Sequence, residues 1–168
     1  MNKTQIKALN SMVGPTKVRE NLAGVFYEYD NSLCLINQMG TIILKINGVE
    51  DKEFIRNNYA QYIQPNCIKS LDEFFKFHDD YTTVRPAYNK SDILDFDHSK
   101  DSVGRDTVDF MNAIGLDYII NRKFLRQVLD AAKGSDYMFG YSKKRYSPLR
   151  IVTDNFEAYI FPIVRKDR

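Results

Sequence analysis

The spacing of apolar positions changes along this chain, and the changes divide it into three stretches. From Lys3 to Val13, Ile6, Leu9, Met12 and Val13 share one broad arc at about 100° per residue, with Lys3 and Lys7 on another. That spacing predicts an amphipathic helix, ended by Gly14–Pro15. The period then becomes two. Leu22–Tyr29, Ser32–Asn37 and Thr41–Ile46 read as strands, the first pair joined by the turn "YDNS", and Asn47–Gly48 marks the next turn. The first stretch is therefore a helix followed by a three-strand antiparallel meander.

The middle, Glu50 to Leu116, is built differently. "DKEFIRNNYAQYI" and "SLDEFFKFHDDY" carry helical apolar spacing, with Ser70 as a predicted N-cap and Glu73 as its capping-box partner. Between Thr82 and Asp109 the chain turns polar and acidic, through Pro86 and "DILDFDHSKDSVGRD". This predicts a long connection of mixed order, of a length that compact domains keep for function or mobility.

From Asp117 the opening pattern returns. "DYII" reads as a short strand, and Asn121 as the cap of a helix running from Arg122 to about Lys133, with Gly134 at its end. "DYMFGYS", "SPLRIVTD" and "EAYIFPIVR" follow as three strands. Helix–three strands, an insertion, then strand–helix–three strands is an internal repeat, and it predicts two pseudo-equivalent halves sharing one sheet system.

Two segments carry a family resemblance together. "KVRENLAGVFYEYDNSLCLINQMGTIILKI" has a small residue and glycine (Ala23–Gly24), an apolar strand, a tight hairpin and two more strands. "INRKFLRQVLDAAKG" with "YSPLRIVTDNFEAYIFPIVR" has a helix with Leu and Ala at fixed spacing, a strand opening on Ser-Pro, and an apolar–Pro–apolar–Arg ending at Phe161, Pro162, Ile163 and Arg165. In this order they resemble the two halves of one domain of the bacterial sliding clamp, the DNA polymerase III beta subunit. The resemblance covers about two fifths to a half of the chain. The chain departs from the family at Asn37–Thr41, where clamps usually carry a turn with His and Arg, and in its insertion of about sixty residues.

The resemblance implies a single α+β, DNA-clamp-like domain over residues 1–168, with halves at about 1–49 and 117–168 and a helical and loop insertion at about 50–116. It places helices on the inner, DNA-facing surface and sheets outside. Taking Arg122 as origin, Arg126 and Lys133 fall within about 40° of it, opposite Phe124, Leu125, Val128, Leu129 and Ala132. Arg122, Arg126 and Lys133, with Lys3 and Lys7, are therefore the expected contacts to the double-stranded DNA backbone, neutralising phosphates without reading bases. Lys17 and Arg19 add to them; a solvated helix face is the competing reading. In the family the apolar end of the chain helps form a pocket for short peptides of polymerases and clamp loaders. Here Tyr159, Phe161, Pro162 and Ile163 take that place, against the alternative that they are core residues of an edge strand. Clamps close a ring from chains of three such domains, so a ring from this chain requires a homo-hexamer.

Composition narrows the chemistry. The 168 residues are 43% hydrophobic and 27% charged with a net charge of +2, so nucleic-acid affinity has to come from local clustering. One further cluster, Lys143, Lys144 and Arg145, sits in a predicted turn and reads first as a soluble loop. Asp92, Asp95, Asp97, His98 and Asp101, like His78–Asp79–Asp80, match no metal-ligand spacing and read as solvated acidic loop. Cys34 lies in an apolar strand and reads as a buried thiol; neither it nor Cys67 has a partner at metal-ligand spacing. No phosphate loop, nucleophile elbow or catalytic Cys/His pair occurs, and no cofactor is implied. No stretch has the length of a membrane span, and a cytoplasmic protein is expected. The expected function is a non-catalytic DNA replication or repair accessory that also docks partner proteins. The alternatives are a monomeric protein-interaction module that keeps the clamp fold, and, more distantly, an enzyme using the acidic insertion with a metal.

Overall fold

The computed structural model describes residues 1–14, 24–64, 68–144 and 146–164. Pro15–Ala23, Cys67, Arg145 and Arg165 therefore lie outside the described residues. Helix α1 spans Lys3–Val13, as its apolar arc requires. Asn2 starts it through a reciprocal capping box: its Oδ1 accepts from the Gln5 N–H at 2.9 Å, and Gln5 Oε1 accepts from the Asn2 N–H at 2.8 Å. Gly14, at φ +84°, ends it by donating its N–H to Asn10 O.

Three strands follow: β1 (Val25–Tyr29), β2 (Ser32–Ile36) and β3 (Ile42–Ile46). The β1–β2 turn is two residues long, pairs Tyr29 with Ser32, and holds Asp30 at φ +47°. Between β2 and β3, buried Asn37 organises the turn, its Oδ1 accepting from the N–H groups of Thr41 and Ile42 at 2.8 Å each.

The insertion contributes α2 (Val49–Asn58), a 3-10 turn at Ala60–Tyr62, β4 (Ile63–Gln64), α3 (Ile68–Phe77) and β5 (Thr82–Val84). It continues with α4 (Lys90–Ile93), β6 (Ser99–Lys100), β7 (Asp106–Asp109) and α5 (Met111–Ile114). Two expectations are corrected here. Ser70 does not cap α3; the helix already runs from Ile68, because the apolar arc of Leu71, Phe74 and Phe75 outweighs a capping signal. The stretch from Thr82 to Asp109 is not a long connection but four short elements. Asn89 caps α4, Asp101 holds a turn by accepting from the Val103 and Arg105 N–H groups, and Ile93, Leu94, Phe96 and Val108 are buried. Single apolar residues set among acids give neither helical nor strand periodicity, so these anchors do not stand out in the sequence.

The last stretch is β8 (Ile119–Asn121), α6 (Arg122–Ala131), β9 (Met138–Tyr141), β10 (Leu149–Val152) and β11 (Phe156–Ile160). Asn121 caps α6, accepting from the Lys123 N–H at 3.0 Å, and Gly134 follows the helix at φ +88°.

The fold is α+β, with one eight-stranded sheet in the order β4-β1-β2-β3-β11-β10-β9-β5 and a second of β6-β7-β8. The two meanders meet at their last strands, β3 and β11, paired antiparallel from Phe156 on Ile46 to Ile160 on Ile42. Their outer strands, β1 and β9, are each covered by a strand from the insertion, β4 and β5. Both faces of the sheet are buried at its centre. On one face, Leu33, Leu35, Leu44, Ile151 and Ala158 meet α1 and α6 through Leu9, Met12, Leu125 and Val128. On the other, Tyr29, Cys34, Ile43 and Tyr159 meet α3 through Leu71, Phe74 and Phe75. Two-sided burial is why β2 and β3 read as nearly continuous apolar runs. Among the described residues, no helix is long and apolar enough to cross a membrane.

Candidate nucleic-acid interface

Helices α1 and α6 pack together and run antiparallel. At one end Asn2 Nδ2 donates to Lys133 O and Gln5 Nε2 to Ala131 O, both at 3.2 Å; at the other, Asn10 and Lys123 line one cleft. Neither chain segment brings much acid to this face. Helix α1 contains none, and the single acid of α6, Asp130, is paired with Lys90. Lys3, Lys7, Arg126 and Lys133 are exposed, and Lys133 Nζ donates to Thr4 Oγ1 at 3.2 Å, bridging the helices.

Arg122 has a different place. Its Nε donates to Leu94 O at 2.7 Å and its Nη2 lies 3.2 Å from Asp95 Oδ1, with the side chain 22% exposed. It ties α6 to the segment after α4, and Asp95 offsets its charge. Lys123 is exposed and was not among the expected contacts. It lies about 60° from Arg126 around the helix, within reach of the same face once α1 packs alongside. Among the described residues, Lys3, Lys7, Lys123, Arg126 and Lys133 form no ion pair. Such a surface attracts polyanions and has no internal charge to satisfy it.

The second basic cluster is partly structural. Lys144 Nζ donates to Phe77 O at 2.5 Å, lies 3.4 Å from Asp80 and stands over the Phe77 ring, which seats it at the C-terminus of α3. Lys143 is exposed; Arg145, Lys17 and Arg19 fall outside the described residues.

The four terminal residues expected to form one docking pocket face two places. Tyr159 is 3% exposed, with its ring 5.2 Å from Phe74 and 5.6 Å from Phe75. Burial holds its hydroxyl well above the ordinary tyrosine range. Phe161, half-buried, lies 5.8 Å from Phe74. Helix α3 thus covers this part of the sheet. Pro162 and Ile163 instead line a cleft of about 450 Å³ with Leu116, Tyr118, Tyr141 and Ser147. The chain crosses to the small sheet there, with the Ile163 N–H donating to Ile119 O at 2.8 Å.

The acidic positions disperse among separate partners. Asp95 meets Arg122, Asp97 accepts from Asn112 at 2.8 Å, His98 lies 3.2 Å from Asp106, and Asp101 holds Arg105 at 2.6 Å. His78 stands between the rings of Phe74 and Phe77; burial pulls its pKa down, Lys144 adds to the shift and Asp80 opposes it. Among the described residues, no three metal-ligating side chains converge. No family model, curated protein sequence or solved structure matches the chain.

Proposed function

We propose that this chain is a non-catalytic DNA replication or repair accessory of sliding-clamp-like architecture, resting its α1–α6 face on the phosphate backbone of duplex DNA. The observation that carries the reading is that face: Lys3, Lys7, Lys123, Arg126 and Lys133 exposed on two packed helices whose one acid is already paired. Two meanders meeting at β3 and β11, with the helix of each half packed together on one side, agree with two pseudo-repeated halves. Cations without a base-reading element bind by charge and tolerate any sequence.

Fluorescence anisotropy with a labelled duplex, titrated across salt concentration, tests the reading. A face that neutralises four or five phosphates gives a slope of about −4 in log affinity against log salt. Lys3→Glu with Arg126→Glu, both exposed, lowers affinity by about tenfold or more at low salt. Absence of binding at low salt, or affinity indifferent to salt, overturns it.

One observation favours a second reading, a monomeric protein-interaction module that keeps the fold without encircling DNA. The sheet ends on two very short strands, β4 on part of β1 and β5 on β9, which blunts the edges through which flat sheets join end to end. On this reading the cleft lined by Pro162 and Ile163 is the docking place for polymerase- or clamp-loader-like proteins.

A further inference from the structure

Beside the cationic helix pair, a cleft of about 650 Å³ opens between α1, the turn after β2, and the stretch from α2 through the 3-10 turn. Its chemistry differs from that of the helix face. Phe54 and Tyr62 present half-buried rings, backed by buried Tyr59 at centroid distances of 6.3 and 6.5 Å. Tyr59 is fixed in turn by Phe26, 5.7 Å away, and by its hydroxyl, which donates to Asn10 Oδ1. The exposed carboxamide of Gln61 stands at the same opening, with Lys123 from α6 on the other side. Beside it is that of Asn58, whose Nδ2 donates to Phe54 O at 2.8 Å and whose Oδ1 stands at an exposed position. Among the described residues, no carboxylate lines the cleft.

Flat rings, carboxamides and one cation form a particular combination. Aromatic side chains stack on the π-face of any base, Asn and Gln match the mixed donors and acceptors of a base edge, and an ammonium takes the attached phosphate. The volume suits a ligand of nucleotide size. An apolar peptide would leave the carboxamides and the ammonium unmatched. The phosphates of a strand lying on α1 and α6 would pass the mouth of the cleft, because Lys123 belongs to both.

We propose that this cleft accepts one unstacked nucleobase from a single-stranded segment, so that the protein prefers duplex ends with an overhang to blunt duplex. The inference rests on the phosphate-binding reading of the helix pair.

Three labelled DNAs test it with the full chain: a blunt duplex, the same duplex with a three-nucleotide overhang, and one whose overhang is abasic. The base-containing overhang binds about fivefold or more tighter than the abasic one, which carries equal charge. Tyr62→Leu, and independently Gln61→Glu at an exposed position, abolish that difference and leave blunt-duplex affinity within about twofold for Tyr62→Leu. Equal affinity for the base-containing and abasic overhangs overturns the cleft while salt-dependent duplex binding preserves the helix face. If no DNA binds, the helix face falls and the cleft is read directly with 2-aminopurine deoxyribonucleoside monophosphate. Fluorescence quenching that Tyr62→Leu removes supports the base site, and absence of quenching, or quenching the variant keeps, overturns it.

Discussion

Gly24 sits where the end of α1 and the start of β1 come closest. Its N–H donates to Val13 O at 2.8 Å, and a Cβ there would stand 2.5 Å from Met12 O and 3.0 Å from Val13 Cα. Both neighbours are backbone and cannot swing away, so Gly24→Ala is expected to cost about 2–3 kcal/mol, read as a lower urea midpoint with unchanged slope. Cys34 shows the opposite case, a side chain that fits and is sealed. Fully buried in β2, its thiol is pushed up to about 12 by burial. Cys34 should resist alkylation at pH 8 in the folded chain and react only once the chain is denatured. In the unfolded chain this thiol titrates near its ordinary value of about 8.5, so its contribution is complete below that pH and is lost as pH rises toward 12. Stability should therefore fall more steeply above pH 8.5 for the natural chain than for Cys34→Ala, by up to about 1.4 kcal/mol per pH unit.

Among the elements, α3 differs most from its expected role. In sequence it is a helix of an insertion; in the fold it is the cover of one sheet face, held by Phe74 and Phe75 over Tyr159 and by Lys144 at its C-terminus. His78 ends the cover as a neutral ring favoured by burial and by Lys144. A pKa lowered on folding gives stability that is complete above about pH 6.5 and lost as pH falls through the folded value. The denaturation midpoint should drop between pH 7 and 5 in the natural chain and change less in His78→Gln. At the opposite face, Asn2→Ala removes the α1 capping box and the bond to Lys133 O, with an expected loss of about 1 kcal/mol.

The elements with a clear period were legible: α1 agrees to the residue, and five of the six strands at the two ends fall within the expected stretches, while β11 starts one residue earlier, at Phe156, and stops at Ile160, before Pro162. What periodicity cannot carry is which surfaces meet. The alternation of β11 marks Tyr159 as facing away from the main core, but nothing in it says that Phe74, far away in the chain, lies on top. Arg122 matches its helix phase yet is held by Leu94 and Asp95, while Lys123 became part of the basic face only through the packing of α1 on α6. The rings of Phe54 and Tyr62 read as helix filling until the 3-10 turn sets them at one opening.

For the whole molecule, the short sheet edges argue about assembly. With β4 pairing Phe26 and Tyr27 of β1 and β5 pairing β9, the sheet ends on strands of two and three residues, too short to offer a long ladder to another copy. Size-exclusion chromatography with light scattering should return the mass of one chain at high concentration; a hexamer would show that other surfaces join the copies into a ring.

The β3–β11 pairing also sets a schedule. It joins Ile42 to Ile160, so the centre of the sheet cannot zip until almost the entire chain is available. On a ribosome the first meander emerges early and waits with β3 paired to β2 along one edge only, its other edge open at Ile43 and Leu44, while the insertion and the second meander are made. Such non-local closure is slow and leaves a sticky edge exposed in the meantime. Synthesis interrupted before β11 should therefore yield aggregating chains rather than a smaller folded half.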